Sequence, residues 1–314
     1  MTSVIFMGTP EFSVPILKGL VDNDYQVKAV VTQPDKKVGR KQKITKTPVK
    51  RLAEELKLPV YQPVKLSGSP EVAELIAMHA DLIVTAAYGQ FLPSKFLNSV
   101  KIAAVNVHGS LLPKYRGGAP VQYAIMNGDQ KTGITIMEMV KQMDAGDIYS
   151  QAEIEIAEDD TTGSIFNKLS LIGRDLLLET LPQIIADPKK KQPQNSDEVI
   201  FSPNISKQQE QIKSEMTAAQ ANNLIRALNP NPGAYLMLAG KRVKVWRGAV
   251  SAEKTDLPQG SLVANDSRFA LSFANQTVLD LLEVQPAGKK KMPIAAFLNG
   301  QGSKFKVGMQ IIDD

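Results

Sequence analysis

The first half of the chain alternates short apolar runs with helical stretches, and this alternation constrains the fold more than any other feature. Apolar runs of strand length occur at residues 3–7, 27–32, 81–87 and 103–108. Helical patterns lie between them, at residues 12–20, 47–58 and 69–80. Strands that are apolar along nearly their whole length are typical of parallel sheets covered by helices on both faces. We therefore predict an α/β domain at the N-terminal end.

The pattern changes in the second half. Residues 133–140 and 148–156 predict a hairpin with one face more exposed to solvent. Residues 161–185 carry a helical apolar stripe. Residues 187–196 are rich in Pro, Lys and Gln, which predicts a linker. Beyond it come a capping box at Thr217–Gln220, several short strands and a late helix near 293–298, as expected for a small β-barrel. The predicted limits are 1–188 for the first domain, 189–207 for the linker and 208–314 for the second.

The composition excludes several classes of protein. A length of 314 residues suggests about two domains. No apolar run approaches the ~20 residues that span a bilayer, and the first residues lack a basic signal sequence. The chain has no cysteine and only two histidines, so disulfides are excluded and a zinc site is disfavoured. We expect a metal-free cytoplasmic protein.

The net charge of +5 is unevenly distributed. Residues 1–206 carry 23 Lys and Arg against 23 Asp and Glu, whereas residues 207–314 carry 14 against 9. One basic island lies inside the neutral part, at residues 33–51, with eight basic side chains against Asp35 alone. Two separate basic surfaces indicate a polyanionic partner, although simple solubility would explain the charge equally well.

The predicted strand 103–108 ends in Asn106-Val107-His108. Residues two apart on a strand face the same side, so both polar side chains would project from its carboxyl end, where open α/β sheets bind ligands. An Asn amide can donate to the oxyanion of a tetrahedral intermediate, and an imidazole can exchange a proton near neutral pH. Asp144, in the predicted turn 144–147, would orient the ring. Together the three predict acyl-type transfer from one nitrogen to another.

Each of these residues alone has an ordinary structural explanation. A single histidine is usually a core or surface residue, an Asn at a strand end forms a turn, and residues 144–147 alone are a turn. Their combination changes the interpretation because three polar groups would converge without a metal.

Gly8-Thr9-Pro10 follows the first strand but lacks the spacing of a dinucleotide-binding loop, which argues against NAD. His79 ends a predicted helix, where a histidine suits the helix dipole.

The motif Asn106-Val107-His108-Gly109-Ser110-Leu111-Leu112-Pro113, followed by Lys114-Tyr115-Arg116-Gly117-Gly118 and later by Asp144-Ala145-Gly146-Asp147, resembles the folate-dependent formyltransferases. The resemblance extends nearly end to end, through residues 6–12, 33–35, 87–89 and 226–230. The basic loop and residues 285–292 resemble most closely the branch that acts on methionyl-tRNA.

This resemblance implies an α/β, Rossmann-like N-terminal formyltransferase domain joined to a C-terminal OB-fold-like β-barrel domain. The implied reaction moves formyl from 10-formyltetrahydrofolate to the α-amino group of initiator methionyl-tRNA, in a protein expected to be monomeric. Asn106 would stabilise the oxyanion, His108 would handle the proton and Asp144 would tune His108. The resemblance places Ser110, Leu111, Leu112, Pro113, Ala87 and Tyr88 near the folate. It places Arg40, Lys41, Lys43, Lys289 and Lys290 against the tRNA.

Three other functions remain open from the sequence. The same three polar residues would serve a formyltransferase acting on a small amine, such as a nucleotide sugar or glycinamide ribonucleotide. They would also serve a hydrolase of formyl-folate. A non-catalytic tRNA-binding protein would explain the charge but would leave Asn106, His108 and Asp144 without a role.

Overall fold

A computed structural model describes residues 1–39 and 42–314 of the chain. The protein forms two compact units. Unit 1 comprises Met1–Pro120, Lys131–Glu155 and Phe166–Pro203, and unit 2 comprises Val121–Gln130, Ile156–Ile165 and Asn204–Asp314. The segment 189–203 therefore belongs to unit 1, and the domain limits inferred from the sequence stay a prediction.

The strands of unit 1 are β1 (Ser3–Gly8), β2 (Gln26–Val31), β3 (Lys36–Val38), β4 (Lys43–Thr45), β5 (Val60–Tyr61), β6 (Leu82–Ala86), β7 (Ala103–His108), β8 (Lys131–Glu138) and β9 (Ile148–Glu155). The first helices of the chain are α1 (Val14–Asp22), α2 (Pro48–Glu55), α3 (Pro70–Ala77), α4 (Ser94–Leu97), α5 (Pro120–Met126) and α6 (Thr162–Ala186).

Seven of these strands form one sheet in the order β5-β2-β1-β6-β7-β8-β9. The pairs from β5 to β7 are parallel, and β8 and β9 add antiparallel strands at one edge. The α/β fold with a parallel sheet is thus confirmed, and so is the hairpin that alternation predicted for β8 and β9. The central strands β1 and β6 are buried along their entire length, as is typical of parallel strands with helices on both faces of the sheet.

The predicted helices are present, with small differences at their ends. Thr47 caps α2 by accepting a hydrogen bond from the Lys50 N–H at 3.1 Å, but the helix ends at Glu55 and not near residue 58. The helix that follows Ser69 starts at Pro70 as predicted, yet Ser69 makes no side-chain capping bond and the helix ends at Ala77. Among the described residues, no helix is both long and apolar enough to cross a membrane.

Unit 2 contains an antiparallel sheet and a capped helix. Its elements are α7 (Ala218–Ala227), β10 (Tyr235–Leu238), β11 (Lys241–Lys254), β12 (Leu262–Asn265), β13 (Phe269–Ser272), β14 (Thr277–Pro286), β15 (Met292–Pro293) and α8 (Ile294–Leu298). The sheet order is β10-β11-β14-β13-β12, with β15 beside β14. The last residues bridge Leu238 and Ser261, so the C-terminal tail connects the two edges of the sheet. The capping box at Thr217 is confirmed.

Candidate active site

Asn106 lies near the carboxyl end of β7, beside Thr85 of β6. The Thr85 hydroxyl donates to Asn106 Oδ1 at 2.8 Å. Because the carbonyl end of the amide accepts this bond, the two N–H donors on Nδ2 are what Asn106 can offer a ligand. The side chain is half-buried. Thr85 is the polar residue in an otherwise apolar strand, and the sequence interpretation did not assign it a role.

His108 is the last residue of β7 and is buried. Its Nε2 lies 3.0 Å from the carbonyl oxygen of Tyr115. A carbonyl only accepts, so Nε2 carries the hydrogen in the neutral ring and Nδ1 presents a lone pair. The Asp144 carboxylate lies 3.7 Å from Nδ1, which is ion-pair distance but longer than a hydrogen bond. A proton that arrives at Nδ1 would therefore be stabilised by the charge of Asp144.

Asp144 sits in the loop between β8 and β9 with a φ of 48°, in the left-handed region. Its Oδ2 accepts a hydrogen bond from the Gly117 N–H at 2.9 Å. Gly117 has a φ of 130°, and a Cβ there would lie 2.6 Å from the Ser202 carbonyl oxygen. Only glycine fits this close approach of two backbones. The loops that carry Asp144 and Gly117 are thereby joined beside the imidazole.

The loop after β7 is pinned by polar side chains of the β8–β9 hairpin. Ser110 is fully buried, and its hydroxyl donates to the Lys114 carbonyl at 2.7 Å. Thr135 donates to the Ser110 carbonyl at 2.6 Å and accepts from the Leu112 N–H at 3.1 Å. Gln151 donates to the Leu112 carbonyl at 2.9 Å. Leu111 and Pro113 are half-buried.

Ala87 and Tyr88 follow β6 at the same edge of the sheet. Ala87 is exposed and has a φ of 47°. The Tyr88 side chain packs into the core of unit 1, and burial, followed by the charge of Glu71, raises the pKa of Tyr88 to about 12. Its phenol therefore stays neutral. Its carbonyl accepts hydrogen bonds from Thr9 and from Gln33, both at 3.1 Å.

The base of the basic loop is anchored by Asp35. Its carboxylate accepts hydrogen bonds from Lys50 Nζ and from Gln62 Nε2, both at 2.7 Å. These bonds, from Lys50 first and then from Gln62, hold the pKa of Asp35 below its ordinary value. Lys43 lies exposed on β4. The predicted contacts Arg40 and Lys41 lie outside the described residues.

In unit 2, Lys289 and Lys290 are exposed in the turn between β14 and β15. The turn is held by the Lys289 N–H, which donates to the Pro286 carbonyl at 3.0 Å, and by Gln285 Nε2, which donates to the Lys289 carbonyl at 2.9 Å. Lys291 stacks on the Trp246 ring, with Nζ 4.3 Å from its centroid. The turn thus presents two cations on a supported backbone.

The arrangement defines a class of chemistry. An imidazole with an available lone pair stands beside a carboxylate at the carboxyl end of a sheet, and an amide held by Thr85 lies two residues earlier on the same strand. This combination suits transfer of an acyl-type group through a tetrahedral intermediate without a covalent enzyme intermediate. Within residues 1–39 and 42–314 there is no group of three or more side chains suited to hold a metal ion.

The chain belongs to the formyltransferase family. The family model described as formyl transferase matches residues 1–181, and the one described as formyl transferase, C-terminal domain, matches residues 204–302. A protein from Lactobacillus acidophilus named methionyl-tRNA formyltransferase is 68% identical, with all of both chains covered. A protein of the same name from Lactobacillus gasseri is 64% identical, again with full coverage of both chains.

Solved structures share the fold. An N-formyltransferase from Helicobacter canadensis, in complex with folinic acid and dTDP-3-aminofucose, has a TM-score of 0.70 at 18% identity, covering 91% of this chain and 100% of that one. HypX from Aquifex aeolicus has a TM-score of 0.66 at 18% identity, covering 98% of this chain. The chain spans about half, 48%, of the length of HypX.

Proposed function

We propose that this protein transfers the formyl group of 10-formyltetrahydrofolate to the α-amino group of initiator methionyl-tRNA. The observation that supports the chemistry is the pair of His108 and Asp144 at the end of β7, with Asn106 two residues earlier on the same strand. The full-length relatives named methionyl-tRNA formyltransferase support the choice of acceptor. We propose that the reaction takes place in the cytoplasm, where charged tRNA is available, and that the protein acts as a monomer.

The proposed reaction forms a bond between the α-amino nitrogen and the formyl carbon and breaks the bond from that carbon to N10 of the folate. The attacking amine must be neutral, and α-amino groups have pKa values of about 7.7–8.0. As the new bond forms, Nδ2 of Asn106 donates to the oxyanion, a contribution of roughly 2.7–4 kcal/mol for one such donor. His108 takes the amine proton at Nδ1, beside Asp144, and a proton returns to the departing N10.

The folate site we propose comprises Ser110, Leu111, Leu112, Pro113, Ala87 and Tyr88. The Ser110 hydroxyl and the Tyr88 phenol face inward, so in this proposal these two residues contribute backbone and shape. The exposed backbone at Ala87 lies at the edge of the sheet where open α/β folds bind ligands. A flat pterin ring suits such a site because backbone groups can approach it closely.

We propose that Arg40, Lys41 and Lys43 of the basic loop in unit 1 contact the tRNA, and that Lys289 and Lys290 form a separate tRNA contact in unit 2. The described cations Lys43, Lys289 and Lys290 are exposed. Asp35, which accepts hydrogen bonds from Lys50 and Gln62, holds the base of the loop in place. The cations of the loop would therefore be presented to phosphates from a fixed base. Phosphate contacts of this type supply affinity that depends strongly on salt.

Labelled formyl transfer to initiator and elongator methionyl-tRNA, measured side by side, tests the proposal. We expect rapid transfer to initiator methionyl-tRNA that depends on 10-formyltetrahydrofolate. Labelled formate without a labelled tRNA would indicate a formyl-folate hydrolase. Transfer only to an amino sugar nucleotide or to glycinamide ribonucleotide would indicate a small-amine formyltransferase. Binding of tRNA without any transfer would indicate a non-catalytic protein, and each of these three outcomes would overturn the proposal.

Arg40→Ala tests the predicted acceptor contact. We expect the KM for charged tRNA to rise by about tenfold while the KM for the folate stays unchanged, since a lost charged contact costs on the order of 1.4 kcal/mol. Arg40→Lys is the matched variant, because it keeps the charge and loses only the fork geometry. Equal increases in both KM values for Arg40→Ala would contradict this role.

A further inference from the structure

The segment 192–202 lies beside the site. Its backbone pairs with Ile148 at one end and with Arg116 at the other. The backbones of Gln192 and Ile148 exchange hydrogen bonds of 2.7 and 2.9 Å, next to the loop that carries Asp144. Further along, the Arg116 N–H donates to the Ile200 carbonyl at 2.9 Å, and the Ser202 N–H donates to the Arg116 carbonyl at 2.8 Å. A segment with the composition of a linker is therefore part of the structure around the site.

Gln194 lies between these two points of pairing. Its side chain forms hydrogen bonds both to Arg116 and to the loop that carries Asp144. Its Oε1 accepts from Arg116 Nε at 3.0 Å and from Arg116 Nη2 at 2.8 Å. Its Nε2 donates to the Asp144 carbonyl at 2.9 Å and to the Gly146 carbonyl at 2.7 Å. A primary amide has two acceptor positions and two donor hydrogens, and all four are used here.

The hydrogen-bond partners determine which end of the Gln194 amide faces Arg116 and which end faces the loop that carries Asp144. A guanidinium can only donate and a backbone carbonyl can only accept, so the two ends of the Gln194 amide cannot be exchanged. Arg116 is itself buried. Replacing the amide by a carboxylate would keep both bonds to Arg116 but would turn an oxygen toward the carbonyls of Asp144 and Gly146. No other neutral side chain of similar length supplies two acceptors and two donors.

The carbonyls that Gln194 holds belong to the loop that sets the position of Asp144. Asp144 has a left-handed φ of 48°, a conformation that costs free energy for a residue with a side chain and needs support from its surroundings. From there its carboxylate reaches the Gly117 N–H at 2.9 Å and stands 3.7 Å from Nδ1 of His108. A loss of the bonds from Gln194 would release the backbone on either side of Ala145.

We propose that Gln194 is a positioning residue for the transfer reaction: its amide connects Arg116 to the backbone of residues 144–146 and so holds the Asp144 carboxylate beside His108. The inference rests on the proposed function only for its kinetic readout. Gln194 acts through Asp144 and does not touch the reacting atoms.

Steady-state kinetics of Gln194→Ala and Gln194→Glu provide the first test. We expect kcat to fall about ten- to hundredfold in both, because small displacements of a catalytic group have effects of that size. We expect both KM values to stay within about twofold, since neither substrate contact is removed. Gln192→Ala is the matched control, because Gln192 is exposed and pairs with Ile148 through its backbone alone. It should behave as the wild type.

A double-mutant cycle separates positioning from general structural support. In an Asp144→Asn background, Gln194→Ala should reduce kcat by less than about twofold, because the group it positions is already disabled. A loss as large as that in the wild-type background would overturn the proposal. So would wild-type kcat values in both single variants.

The imidazole resonances provide a readout that does not require activity. The chain has only two histidines, so the Hε1 signals of His79 and His108 can be assigned from one His79→Asn sample. Gln194→Ala should shift the His108 signal at fixed pH and leave that of His79 in place. An unshifted His108 signal would contradict the inference. If the wild-type protein does not formylate methionyl-tRNA, the proposed function fails. The shift of the His108 signal in Gln194→Ala still tests whether Gln194 positions Asp144 beside His108.

Discussion

Two residues beside the His108 ring have left-handed backbones, Tyr115 with a φ of 67° and Asp144 with a φ of 48°. Tyr115 supplies a carbonyl to Nε2, and Asp144 supplies a charge near Nδ1. Conformations of this kind cluster at functional sites because the surrounding structure must hold them in place. The ring is thus oriented by a backbone carbonyl, while the carboxylate stands at ion-pair distance on the other side.

The sequence predicts only part of this site. Asn106 and His108 can be paired from strand alternation alone, because residues two apart share a face. Tyr115 contributes a carbonyl, which every residue has, so its side-chain identity carries no signal. Gln194 lies in a segment whose composition indicates a linker, and its four hydrogen bonds depend on how three separate loops meet. Such long-range contacts leave no local pattern.

His108→Ala removes the proposed proton carrier. We expect kcat for formyl transfer to fall by roughly 10²–10⁴, the usual contribution of general acid–base catalysis, with little change in KM for either substrate. Steady-state kinetics with charged tRNA measure this. His79→Asn is the control, because His79 lies two residues beyond α3 with a φ of 47°, a conformation that Asn tolerates. Near-normal kcat in His108→Ala would remove the assignment.

At the scale of elements, the opposite end of the sheet is held by one carboxylate. Asp81, just before β6, accepts hydrogen bonds from the Ser3 N–H at 2.8 Å and the Ser3 hydroxyl at 2.7 Å. Lys101, just before β7, lies 3.2 Å from the same carboxylate. These contacts align the starts of β1, β6 and β7, and so support the strand whose far end carries Asn106 and His108.

Element type was predictable because each apolar run and each helical stripe is a local signal. Strand order was not, since periodicity says that β1, β2 and β6 are buried but not that β1 lies between the other two. In unit 2 the sequence predicted several short strands, whereas β11 runs from Lys241 to Lys254. Its second half has no buried residue, and it stays a strand because its backbone pairs with β14.

Asp81→Asn should change the dependence of stability on pH. Hydrogen bonds from Ser3, with a smaller contribution from Lys101, lower the pKa of Asp81 from 3.8 to about 2. A carboxyl whose folded pKa lies below its unfolded value stabilises the protein above the unfolded pKa, and this contribution is lost as the pH falls through the folded pKa. Urea unfolding should therefore show the largest deficit of the variant near neutral pH, shrinking between about pH 4 and pH 2. A deficit independent of pH would contradict this account.

At the scale of the whole molecule, the two parts of the sequence differ in charge. Residues 1–206 are neutral overall, and the excess of +5 lies in residues 207–314. Many of these cations interact with other side chains of unit 2. Arg242 stacks on Tyr235, with its Cζ 3.7 Å from the ring centroid, and Arg268 Nη2 lies 2.7 Å from Glu253 Oε2. A basic net charge alone therefore overstates the surface available to a polyanion. Lys289 and Lys290 are exposed in a supported turn and are the stronger candidates.

Replacing Lys289 and Lys290 together by Ala should weaken binding of charged tRNA and flatten its salt dependence. If each lysine neutralises one phosphate, the slope of log K against log salt should decrease in magnitude by about 1.4–1.8 for the pair, because each contact contributes roughly 0.7–0.9. Filter binding or fluorescence titration from low to moderate salt measures this slope. Lys95→Ala, which removes an exposed cation of α4 in unit 1, should leave the slope unchanged. A double variant with weaker binding but an unaltered slope would mean that the turn supports the fold of unit 2 and does not contact phosphates, since only lost phosphate contacts change the number of counterions released.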